Sequence, residues 1–172
     1  FYIVVIGIPL SMGSSVLLIP NYLMMMKLHL TNHWYTLPLL YTAYNLPLVI
    51  WMLISGVRGL PYEIEEAARI DGCSQFYIIT RIIPPVIRPS FAAAALFAFI
   101  GAWNEFITAT VMVNGYALKN IQMAIYDYIG FFGQEWGPLC GAATLAIIPI
   151  LLVFTFLGKQ LVSGLTAGAV KG

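Results

Sequence analysis

The 172 residues are 60% hydrophobic and only 9% charged, with a mean hydropathy of +0.88 and a formal net charge of +1. Soluble domains carry about 25% charged residues, so a chain this poor in charge cannot cover its own surface and reads as a membrane protein. The small net charge argues against a nucleic-acid partner.

A spanning helix needs about 20 mostly apolar residues, and four stretches offer them. Phe1 to Met26 holds no charge. Leu28 to Val57 holds none with His29 and His33 neutral, Pro89 to Leu118 holds only Glu105, and Trp136 to Gly158 holds none. The expected fold is all-α, a polytopic transmembrane bundle with four spans centred near residues 12, 46, 99 and 148. Residues 1–172 form one transmembrane domain in this reading. Neither an initiator Met nor a basic leader precedes Phe1, so the first run is not a signal peptide as it stands, and the domain is expected to lack its N-terminal helices. Gly and Pro recur inside the spans at Pro9, Gly13, Pro20, Pro38, Pro47, Gly101, Gly141 and Pro149. Neighbouring helices must then re-satisfy the freed backbone groups, which implies packed, bent helices. Cys73 and Cys140 lack ligand spacing and read as two small buried apolar residues.

The connections set the orientation. Residues 57–88 and the tail 159–172 carry Arg58, Arg69, Arg81, Arg88, Lys159 and Lys171, whereas the other side carries only Lys27 and Lys119. The positive-inside rule therefore makes the charged loop and the C-terminus cytoplasmic. It turns the aromatic connection 113–136 outward. His29 and His33 read as interfacial polar residues rather than metal ligands. Walker A, HExxH, GxSxG and paired zinc ligands are absent, so neither catalysis nor a bound cofactor or metal is expected.

The segment EIEEAARIDGCSQFYIITRIIPP, residues 63–85, holds four of the seven carboxylates. Pro61 suits the first turn of a helix, and Glu63, Glu65 and Glu66 meet the positive end of its dipole. Ala67 and Ala68 are strong helix formers. Gly72 can take the left-handed conformation that ends a helix. Ser74 can cap a second short helix, Gln75 to Ile83, which Pro84 and Pro85 stop. Two readings of this helix–turn–helix remain open. It is an amphipathic hairpin lying on the bilayer, or a knob that docks a soluble partner. The carboxylates favour the knob, because surface-lying helices prefer Lys and Arg on their polar face.

Glu66-Ala67-Ala68, three residues, Gly72, nine residues, Ile82 and then Pro85 resembles the EAA loop of the membrane subunits of binding-protein-dependent ABC importers; the family pattern has Leu where this chain has Pro84. The string LPYEIEEAARIDG (60–72), AWNEF (102–106) and the terminal GLTAGAVKG (164–172) are similar to the carbohydrate-uptake branch, of maltose-permease type. The resemblance implies a type I importer permease in a bacterial or archaeal plasma (inner) membrane. It implies that residues 61–85 are a cytoplasmic coupling loop seated in a cleft of the ATPase. Glu63, Glu66, Ala67, Ala68, Asp71, Gly72, Ile82 and Pro85 would form that element. Glu66 would be the acidic contact, Ala67 and Ala68 the close-packed surface, and Gly72 the turn, with Asp71 stabilising the turn. The implied partners are a homologous second permease, two ATPase subunits holding ATP-Mg, a solute-binding protein, membrane lipid and a sugar.

Glu105 is the only carboxylate well inside a span, where an ionisable group is costly and faces a cavity or a partner. At 100° per residue, Gly101, Asn104, Glu105 and Thr108 share one narrow helix face, which Ala94 and Ala98 extend. That face either lines a path for sugar hydroxyls or bonds to a neighbouring helix or partner subunit. Gly164-x3-Gly168 lies outside the spans. The tail is either a frayed terminus or, as the resemblance implies, a contact at the seam between the ATPases. Tyr116, Tyr126, Tyr128, Phe131, Phe132 and Trp136 form an interfacial aromatic belt or a contact for the binding protein. Two other classes compete with an importer subunit. An ion-coupled carrier would show repeats and acids in both halves, and a scaffold gives no reason for the charged hairpin.

Overall fold

The computed structural model describes residues 16–130, 133–134 and 136–169, with only the backbone for 130, 133–134 and 159–169. Two compact units divide it. One draws on residues up to Leu48 and on Ala98–Leu152, the other on Val49–Phe97 and on residues from Val153 onward.

In the first unit, α1 (Leu18–Lys27) ends with Lys27 in its last turn, where a cation meets the negative end of the dipole. The chain then reverses through His29 and Asn32, both at positive φ. Asn32 fixes the reversal. Its side chain accepts the Asn114 N–H at 2.8 Å, and its own N–H donates to Met112 O at 3.0 Å. The first half of α2 (Thr36–Arg58) follows. A core of Met25, Leu37, Leu40, Ala109, Met112, Val113 and Met123 joins α1 and α2 to α7 (Ile107–Met112) and α8 (Ile121–Tyr126). Beyond α8, β1 (Ile129–Gly130) pairs antiparallel with β2 (Gly133–Gln134). This small hairpin departs from a strictly all-α expectation; Gly130 facing Gly133 lets the backbones close tightly.

The second unit contains the rest of α2, then α3 (Tyr62–Ile70) and α4 (Gln75–Tyr77). A π-helical turn (Ile78–Ile82) leads into α5 (Ile83–Val86) and α6 (Arg88–Trp103), which passes into the first unit at Ala98. The long α9 (Trp136–Ala169) runs on into this unit. Its helical backbone includes 159–169, most of the tail. Cys140 is exposed and Cys73 half-buried, which corrects the buried reading. On a helix facing lipid the outer face is itself apolar, so a small apolar residue gains little by pointing inward.

Among the described residues, α2 and the Trp136–Gly158 part of α9 are long and apolar enough to cross a membrane. Gln75–Val86 with Arg88–Trp103 adds a third if that pair, bent by 76°, is one span. Four spans are therefore not shown. Residues 1–15 of the first stretch lie outside the described residues. The third stretch breaks after Trp103, and sixteen residues rise only about 24 Å, short of the roughly 30 Å hydrocarbon core. Pro47 and Pro149 sit inside α2 and α9 without ending them.

Gly56 of α2 lets α6 come close. A Cβ there would lie 2.7 Å from Ser90 Cβ and closer still to its Oγ. Gly56→Ala is expected to destabilise the chain by about 1–3 kcal/mol, the usual cost of overpacking. Adding Ser90→Gly should restore most of the loss. Thermal unfolding of the purified protein reads both; an undisturbed melting temperature in the single variant would show that the helices part at no cost.

Candidate functional site

The charged hairpin is built by local signals acting in sequence. Pro61, at extended φ/ψ, is the residue before the first helical turn of α3 rather than inside it. Gly72 has φ +78°. Its N–H donates to Arg69 O, and the Cys73 N–H donates to Ala68 O, both at 3.0 Å. This is a complete Schellman ending, which consumes carbonyls that α3 would otherwise leave bare. Ser74 Oγ accepts the Tyr77 N–H at 3.3 Å and starts the next helix. Arg69 bridges the two arms by donating to Glu65 at 2.6 Å and to Gln75 at 3.1 Å. The Asp71 carboxylate makes no hydrogen bond among the described residues, so its expected support of the turn comes from its backbone alone, whose N–H donates to Ala67 O.

Pro84 and Pro85 do not stop the second helix, as the sequence suggested. The π-helical turn before them, closed by the Ile83 N–H donating to Ile78 O, widens the coil. The prolines then occupy the first turn of α5, where no N–H is required. The arm runs on to Val86 before the bend.

Burial sorts the expected contact residues. Ile64 and Ala68 face inward, with Ala68 only 6% exposed and Ile78 fully buried. Ala68 therefore serves the hairpin's own packing. Glu63, Glu66, Ala67 and Ile70 lie outward at i, i+3, i+4 and i+7, one face of α3. Ile70 is 81% exposed, and Phe76, on the following arm, 78%. Neither was singled out from the sequence, although the spacing that unites Glu63, Glu66 and Ala67 also reaches Ile70. Ile82 is half-buried and Pro85 exposed. A cleft of about 240 Å³ lies between the end of α2 and the hairpin, lined by Arg58, Tyr62, Glu65, Ile78 and Ile83 among others.

The second polar centre, in the first unit, is the break between α6 and α7. Glu105 is not on a continuous helix. Its Oε1 accepts the Thr108 N–H at 2.8 Å and its Oε2 the Ala109 N–H at 3.1 Å, so the carboxylate caps α7. Tyr41 OH donates to Oε2 at 3.2 Å. Two carbonyls at the break are covered too. Asn120 Nδ2 donates to Glu105 O at 2.6 Å, and Gln122 Nε2 donates to Trp103 O at 3.2 Å. Gly101, Asn104, Glu105 and Thr108 thus do not form the single helix face expected. Gly101 is exposed but abuts α2, where an added Cβ would lie 2.9 Å from Asn45 Oδ1. Thr108 is 1% exposed, and Asn104 is exposed with no side-chain hydrogen bond among the described residues. Beyond the break, Tyr116, Tyr126, Tyr128 and Trp136 are exposed. The Lys119 ammonium, paired with Asp127, stands 4.5 Å above the Tyr116 ring. Phe131 and Phe132 lie outside the described residues.

The profile of the binding-protein-dependent transport system inner membrane component family matches residues 1–166. The chain belongs to that family. It is 35% identical over 156 residues to the sulfoquinovosyl glycerol transport system permease protein of Agrobacterium fabrum, covering 91% of this chain and 55% of that one. It is 35% identical over 158 residues to the diacetylchitobiose uptake system permease protein of Streptomyces coelicolor (92% and 57%). It is 37% identical over 147 residues to the trehalose/maltose transport system permease protein of Thermococcus litoralis (85% and 53%). The chain thus spans little more than half the length of these three relatives. The resemblance carried by the charged segment holds, and with it the placement among inner membrane transport components.

Proposed function

We propose that this chain is the membrane-spanning subunit of an ATP-driven importer that receives a sugar or oligosaccharide from a solute-binding protein. In this reading it pairs with a homologous permease and two ATPases, which hold the ATP-Mg. The three relatives' names all specify carbohydrates, which supports that substrate class. The observation that carries the mechanism is the cross-bonded hairpin with Glu63, Glu66, Ala67 and Ile70 on one exposed face. A carboxylate pair flanking a small residue and an apolar tip suits a cleft with a basic rim. The Schellman turn and the Arg69–Glu65–Gln75 bridge make the two arms one lever, so a pull on α3 reaches α6 through α5. The excess of cations on 57–88 and 159–172 supports a cytoplasmic position for this lever. Family membership favours this reading over an ion-coupled carrier or a scaffold. On the solute side, Asn104 is the residue whose amide is free to meet a hydroxyl, while Gly101, Glu105 and Thr108 shape the break around it.

Glu66 is exposed and unbonded among the described residues, so reversing its charge leaves the hairpin intact. Glu66→Lys is expected to weaken ATPase co-purification at least roughly a hundredfold, since like charges facing one another across an interface cost several kcal/mol. Helical content and membrane yield should not change. Undiminished co-purification would remove Glu66 from the contact.

A further inference from the structure

The bend between α5 and α6 leaves a groove of about 610 Å³ whose lining includes Arg81, Arg88, Phe91, Ala95 and Leu157. All of it belongs to the second unit. No carboxylate lines it. Both arginines are exposed, and the ion pairs among the described residues, Arg69–Glu65 and Lys119–Asp127, involve neither. Two uncompensated guanidinium groups beside an apolar wall are the pattern of a site for an amphiphilic anion.

Two independent markers put this groove at the edge of the bilayer. Arg88 is the last cation before the uncharged run 89–104, the position at which basic residues meet headgroups. Leu157 precedes Gly158, the last residue of the apolar span Trp136–Gly158. We propose that the groove binds the phosphate of an anionic phospholipid, with its first acyl carbons against Phe91, Ala95 and Leu157. The forked guanidinium matches phosphate oxygens in two-point contacts. Arg88 also opens α6, so the positive end of that helix dipole adds to the attraction. Basic pockets between membrane helices take anionic headgroups in this way. A free phosphate would use the arginines and leave the apolar wall idle. A bound lipid would fix the depth of the bend that joins the lever to its span. This inference is independent of which solute is carried.

The test is lipid retention by the chain purified with its partner subunits in nanodiscs of phosphatidylcholine, with or without phosphatidylglycerol, read by native mass spectrometry. Short-chain phosphatidylglycerol and inorganic phosphate are then titrated separately. Wild type should retain phosphatidylglycerol. Arg81→Gln with Arg88→Gln should weaken its binding roughly thirtyfold, the product of two basic contacts at a membrane surface. Ala95→Trp, which fills the wall and keeps both charges, should weaken it as well, and millimolar phosphate should not displace the lipid. Arg81→Gln alone, on an exposed side chain, serves if the double variant does not assemble, with a loss of roughly fivefold. Equal retention by wild type and the arginine variants overturns the proposal. So does phosphate binding that matches the lipid and ignores Ala95→Trp, or an absence of phosphatidylglycerol from the wild-type complex, which would mean that a protein partner covers the groove.

Discussion

Gly72→Val is expected to uncouple transport from hydrolysis while the chain still reaches the membrane. Gly72 holds φ +78°, and an added Cβ there meets nothing within 4 Å. The substitution therefore acts through the backbone alone. A β-branched residue in the left-handed region costs about 1–3 kcal/mol. The chain can escape that cost by opening the Schellman turn. The bonds from Gly72 to Arg69 and from Cys73 to Ala68 then go, and the two arms no longer move as one lever. Binding-protein-stimulated ATPase activity of the reconstituted complex should fall roughly tenfold or more, as about 1.4 kcal/mol per decade implies. Gly72→Asn is the control, since Asn tolerates left-handed φ; it should keep most of the stimulation. Equal stimulation in wild type and Gly72→Val would reduce the hairpin to a surface anchor. A loss equally deep in Gly72→Asn would trace the effect to bulk in the docking cleft instead of to backbone geometry.

The hairpin was legible because each of its signals acts within a few residues of itself. Gly72 and Ser74 do what their chemistry dictates, and the two arms follow. Ile70 was legible by the same helical spacing, although an acidic motif drew attention to its neighbours instead. Pro84 and Pro85 misled because a stop is only one solution to a missing N–H. The π-helical turn from Ile78 to Ile82 supplies another, and nothing local announces it. The break after Trp103 was hidden for a different reason. Its sequence is helical and apolar on both sides, and the groups that make the break tolerable come from Asn120, Gln122 and Tyr41, which are 15, 19 and 64 residues from the atoms they bond. Periodicity sees none of these. It therefore placed Gly101, Asn104, Glu105 and Thr108 on one helix that does not exist.

Glu105→Ala should produce the largest loss of stability in the first unit. The carboxylate accepts from two backbone N–H groups at the start of α7 and from Tyr41. Thr108 and Ala109, whose N–H groups it holds, are buried at 1% and 0% exposure. Each buried donor left unmatched costs about 1–3 kcal/mol, so the truncation should cost roughly 3 kcal/mol or more, enough to lower the yield of assembled complex. Glu105→Gln keeps one accepting oxygen and should fall between Ala and wild type. Tyr41→Phe removes the donor to the carboxylate and the oxygen that accepts from Asn120 Nδ2 at 3.3 Å, and should cost about 1.5–3 kcal/mol. A double-mutant cycle then isolates the Tyr41–Glu105 bond, with an expected coupling of about 0.5–3 kcal/mol for groups in one network. The cycle also separates the two roles open to Glu105. If Glu105→Gln assembles normally and solute uptake changes, the carboxylate faces the path. If uptake per assembled complex is unaltered and only stability moves, Glu105 is the cap of a broken helix.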